Sequence, residues 1–109
     1  MPPQLPPRAI TDADIEAFRT DGVIKLDAMF DPEWIDVLRA GMVDHLEAPT
    51  ERSRIWDRDE RDRTMQWDAM AWQRVPAYRR FVFDSPAAAI AGQVMGSRDV
   101  HFYFDAVFV

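Results

Sequence analysis

The sequence predicts an α+β domain. Two observations carry that expectation. Apolar residues recur at helical spacing behind capped or proline-started turns, and the last ten residues, Val100 to Val109, form a β-branched and aromatic run. The chain has 109 residues, which fits one small domain or part of a larger one. An apolar fraction of 48% with 12% aromatics excludes a disordered chain. The formal net charge is −6, and twelve arginines and the single Lys25 are scattered among 19 acids. No basic stripe of the kind required by nucleic acid or an anionic membrane is present. No apolar run approaches the ~20 residues of a membrane helix. Met1 to Pro7 carries no secretory signal, so a cytoplasmic protein is expected. The absence of cysteine removes disulfides, thiolate metal sites and cysteine nucleophiles.

Residues 1–9 hold four prolines and read as a mobile, Pro-rich tail ahead of the domain at 10–109. Thr11 stands as an N-cap, with Asp12 and Asp14 in the first turn where the helix dipole favours negative charge. Ile15 and Phe18 share one face of that helix, and Gly22 stops it. A short strand is expected over 23–28, followed by Met29 and Phe30 as buried anchors. Asp31-Pro32-Glu33 is the clearest helix start, and the helix should run to about Glu47 before Pro49. Ile35, Leu38, Met42 and Leu46 form its inward stripe. Residues 49–66 read as a charged loop without apolar period. Val75 to Phe83 is expected to be helical with Tyr78, Phe81 and Val82 inward. Ser85-Pro86 starts an Ala-rich helix that Gly96 closes after Met95.

The final run, 100–109, is then a long strand with only the 23–28 strand to accompany it. A two-stranded sheet is marginal, so the sequence reads as the N-terminal portion of something longer. The unpaired strand beside Phe102, Phe104 and Phe108 is expected to recruit another copy of the chain.

Two segments carry a family likeness. ITDADIEAFRTDGVIKLDAMFDPEWIDVLRAG, from Ile10, resembles the opening of the phytanoyl-CoA dioxygenase family: a helix ending in Asp-Gly, a short strand, then a proline-started helix. FVFDSPAAAIAGQVMGSRDVHFYFDAVFV, from Phe81, resembles the helix before that family's core and its first long core strand. The resemblance spans about 10–48 and 75–109. It implies helices packed on the beginning of a double-stranded β-helix, or jelly-roll, that this chain does not complete. It further implies a parent oxidoreductase, a dioxygenase that hydroxylates a small organic molecule with Fe(II), 2-oxoglutarate and O₂. In such proteins a His-x-Asp pair and a distant His hold the iron, and they lie beyond the strand matched by Val100–Val109. No metal, oxoglutarate or catalytic residue of the family therefore transfers onto this chain. The chain alone is expected to bind neither cofactor and to be inactive.

Several residues imitate a site. His45-Leu46-Glu47 with His101 has the composition of a facial triad, but on a helix positions i and i+2 sit about 200° apart. The plain reading puts His45 at the edge of the core stripe near a helix C-terminus. His101 and Asp105 share a strand face about 13 Å apart, too far to hold one ion. The run from Asp57 to Arg63 mixes acids with arginines, which reads as a solvated segment. Trp56, Trp67 and Trp72 suggest a lid or pocket wall over a variable loop. By the resemblance, His101, Tyr103, Asp105, Trp67 and Trp72 are the candidates for substrate-pocket lining. The alternative reading is a complete, non-catalytic interaction module that pairs through its C-terminal strand.

Overall fold

In the computed structural model, described over residues 3–56 and 65–109, the chain forms four helices and a three-stranded antiparallel sheet. The order is α1 (Asp12–Asp21), α2 (Pro32–Glu47), β1 (Arg54–Trp56), β2 (Met65–Ala69), α3 (Pro76–Asp84), α4 (Ala87–Met95) and β3 (Ala106–Phe108), with a single 3₁₀ turn at Ala71–Gln73. The α+β expectation holds at that level.

The helices form where the sequence punctuates them. Thr11 and Asp14 close a reciprocal capping box at the start of α1, and Gly22 ends it in the left-handed conformation at φ 73°. Pro32 and Pro76 occupy the first turns of α2 and α3, where the missing N–H costs no hydrogen bond. Before α4, the Ser85 hydroxyl accepts from the Ala87 amide at 3.3 Å, and Gly96 closes the other end at φ 65°.

Three expectations are corrected. The stretch 23–28 is not a strand: no described segment pairs with it, and Arg8 donates to the Asp27 carbonyl at 2.6 Å. Only Ala106–Phe108 of the final run is strand. β2 leaves the sheet at Met70, which turns at φ 59°, so residues 100–104 have no ladder to join among the described residues. The partner of β3 is instead β2, a strand the sequence reading did not anticipate, and β1 pairs with the other edge of β2. The third correction concerns α2, whose fully buried residues are Trp34, Gly41 and His45. Leu38 and Met42 are half-buried, and Ile35 and Leu46 are exposed. The buried face is rotated toward Gly41, where α3 packs too closely for a Cβ, and toward His45, which bonds Asp68; neither residue carries a hydrophobic signal.

The N-terminal stretch is also anchored where it is described. The Gln4 amide donates to the Asp84 carbonyl at 2.9 Å, and Gln4 Oε1 accepts from the Trp34 indole at 3.0 Å. Trp34 in turn packs edge-on against Phe81, whose ring lies 5.2 Å from that of Phe30.

The core sits between the α2–α3 pair and one face of the sheet. Ala71, Val75 and Tyr78 are its buried centre, flanked by Leu38, Trp72, Ala77 and Val107. Gln66 and Val109 exchange both backbone bonds, at 2.8 and 2.9 Å. By antiparallel alternation, the register Trp67↔Phe108 is then a pair without backbone bonds. The peptide groups of Ala106 and Phe108 therefore point away from β2, along an edge unpaired among the described residues. Side chains alternate likewise: Asp68 and Val107 face the helices, and Trp67, Ala106 and Phe108 face the other side. No described helix is long and apolar enough to cross a membrane.

Candidate functional site

Behind the sheet lies a buried polar cluster. His45 and Asp68 are 2% and 1% exposed. His45, in the last turn of α2, places Nε2 2.7 Å from Asp68 Oδ2 on β2. Its Nδ1 lies 3.2 Å from the Tyr78 hydroxyl on α3. Because an ionised carboxylate only accepts, the imidazole carries its proton at Nε2. Thr50, just after α2, donates its amide to Asp68 Oδ2 at 3.1 Å and its hydroxyl to Oδ1 at 2.6 Å. One carboxylate thus ties α2, the following loop, β2 and, through the imidazole, α3.

Burial alone pushes the Asp68 carboxyl up. The hydrogen bonds from Thr50 and His45 outweigh that, and Asp68 stays below its ordinary value of 3.8. Asp105, at the start of β3, has a different environment. Its Oδ2 accepts the Trp72 amide at 3.1 Å, but its Oδ1 is buried with no partner among the described residues. Burial, reinforced by the Asp68 charge, raises Asp105 above 3.8 despite the Trp72 bond. Burial, with Asp105 and Asp68 adding to it, also raises Tyr78 above 10.0.

Asp105 lines a hollow of about 350 Å³ between α2, α3 and β3, together with Leu38, Met42, Tyr78, Phe81 and Phe108. His101 and Tyr103 line a neighbouring hollow of about 240 Å³ against α3 and α4. The two hollows share Phe81 and Val82. Trp72 packs edge-on against Phe83 and Phe102, and the Arg79 guanidinium lies over its ring at 5.6 Å. Its indole N–H is buried without a partner. Trp67 sits on the opposite face of the sheet, in register with Arg54 and Phe108. The five candidate lining residues are therefore divided among two hollows, an aromatic cluster and the far sheet face.

His45 is not at the edge of the core but inside it, with both ring nitrogens committed, while Glu47 and His101 are exposed. These residues do not converge as metal ligands. Among the described residues, no group of three or more His, Asp or Glu could hold a metal ion. The run from Asp57 to Arg63 lies outside the described residues. Sequence reasoning missed Asp68, Thr50 and Tyr78 as a unit; the one available signal was an acid centred in the Met-and-Trp-rich segment 65–72.

The two aspartates pull stability in opposite directions. Asp68, held low in the fold, contributes stability above its unfolded pKa that is lost as pH falls through its folded value. Asp105, held high, is favourable only when protonated, so its contribution is lost as pH rises through its folded value. Asp105→Asn should therefore raise the melting temperature at neutral pH, with the gain shrinking as pH approaches 4. Thermal melts of both proteins across that range check this, and a gain that does not change with pH contradicts the assignment.

No known protein family, curated protein or solved structure matches this chain.

Proposed function

We propose that this chain forms the N-terminal part of a phytanoyl-CoA-dioxygenase-like oxygenase, whose parent hydroxylates a small organic molecule with Fe(II), 2-oxoglutarate and O₂. The observation that carries this reading is the one-sidedness of the sheet. Its inner face is packed on α2 and α3, while Met65 and Phe108 on or beside its outer face remain 41% and 63% exposed. The outer edge of β3 is also unpaired among the described residues. An apolar face with a free edge is what a jelly-roll closes with its second sheet and further strands. In this reading, α2 and α3 back the sheet, and Trp67, Ala106 and Phe108 floor the substrate cavity.

The described residues do not fit an iron site, because His45 is spent on Asp68 and Tyr78. No step of the reaction is assigned to this chain's side chains; its part is to shape the cavity and exclude water. The decisive test is the coding sequence around the chain, where a His-x-Asp pair shortly beyond Val109 is expected. Oxoglutarate-dependent O₂ consumption is expected from the full reading frame and not from these 109 residues. Consumption by the short chain that disappears on mutating His45 or His101 would sink the proposal. The open β3 edge also supports a second reading, an interaction module that pairs through this strand. A stable dimer, with no His-x-Asp downstream, favours it.

A further inference from the structure

We infer that the hollow between α2, α3 and β3 is a binding site for a small organic cation, an ammonium group on an apolar body, with Asp105 as its anchor. The site lies on the helix-covered side of the sheet and does not depend on the oxygenase reading. The groups that act on Asp105 are Asp68 on β2, His45 on α2 and Tyr78 on α3, and the backbone amide of Trp72 bonds it directly. His45 is committed to Asp68 and Tyr78. The Tyr78 phenol is neutral. Among the described residues no lysine or arginine lines the hollow, and Asp105 is its only ionisable carboxylate. Two carboxylates thus share one imidazole, and that imidazole is bonded to Asp68, so Asp105 has no direct cationic partner among the described residues.

A buried carboxylate oxygen without a partner is costly, and a native fold that keeps one calls for an explanation. A divalent ion does not answer it, because the hollow offers a single free carboxylate oxygen and otherwise mainly apolar walls. An ammonium does. It forms a charge-assisted hydrogen bond to Asp105, and Phe81 and the Tyr78 ring present aromatic surface to a cation. Leu38, Met42 and Val82 take the apolar body. The volume, about 350 Å³, lies at the lower end of small-molecule sites. Oδ1 is itself covered, and the soft terminal torsion of an aspartate lets it turn toward the ligand. The raised pKa of Asp105 fits a carboxyl that gains most from a counter-charge.

The probes are hexylammonium, hexanol and hexanoate, followed by the amide resonance of Trp72 and by thermal shift at neutral pH. Hexylammonium should bind at least about tenfold more tightly than hexanol, and hexanoate more weakly than either. Asp105→Asn should bring amine and alcohol to the same affinity. In the wild-type chain, the preference for the amine should fade as pH falls and Asp105 takes up a proton, which decides the matter even if the variant does not fold. Equal binding of amine and alcohol by the wild-type chain overturns the site. So does a Trp72 amide that responds to pH but not to the amine, which would identify a proton as the only partner of Asp105.

Discussion

Asp68→Ala should cost about 3–5 kcal/mol, the range for stripping one partner from a buried, hydrogen-bonded pair. The loss is larger than that of an ordinary polar truncation because three donors converge on this carboxylate: His45 Nε2 and the amide and hydroxyl of Thr50. With the carboxylate gone, all three are buried without an acceptor, and each carries its own desolvation penalty. Small domains have roughly 5–15 kcal/mol in total, so the variant should be marginal at room temperature. Asp68→Asn should fall between the two, since its carbonyl oxygen still accepts while its NH₂ faces a donor. Urea denaturation of the three proteins measures the order. A cost below about 1 kcal/mol for Asp68→Ala would mean that the cluster is not the tie described.

The same cluster explains what was legible in the sequence. The helices were, because their signals are local: the Thr11 capping box, Pro32 and Pro76 in first turns, and Gly22 and Gly96 in left-handed stops all sit within a few residues of the ends they define. The sheet was not, because strand identity depends on partners far along the chain. Residues 100–104 have high β-propensity yet pair with no other described strand, since β2 turns away at Met70. β2 was hidden because its most buried side chain is Asp68, so its alternation has polar residues inside and Trp67 outside. The buried face of α2 was misjudged for a related reason. Its closest approaches use Gly41 and His45, residues whose value lies in shape and hydrogen bonding rather than hydrophobicity. Asp105 was singled out only through the family resemblance, and its unpartnered oxygen becomes visible only once β3 is set against Trp72.

Gly41→Val should cost about 3 kcal/mol or more, at the upper end of overpacking effects, because α2 and α3 touch at this point with no room for a side chain. A Cβ built on Gly41 would lie 2.7 Å from Ala77 Cβ and 3.2 Å from Tyr78 Cε1. Neither atom can step aside, since Ala77 Cβ is fixed to the α3 backbone and the Tyr78 ring is held through its hydroxyl by His45. Separating the helices to admit a side chain therefore also pulls Tyr78 from His45 and loosens the polar cluster. Gly41→Ala gains about 1 kcal/mol of helix propensity, so its net cost should be smaller than that of valine. The contact can be isolated by pairing Gly41→Ala with Ala77→Gly. Ala77→Gly alone costs about 1 kcal/mol of propensity. Because it removes the atom at 2.7 Å, the double variant should be clearly more stable than the sum of the two single effects implies. Denaturant midpoints for the four proteins of the cycle give the coupling. Strict additivity would show that the helices do not meet at Gly41.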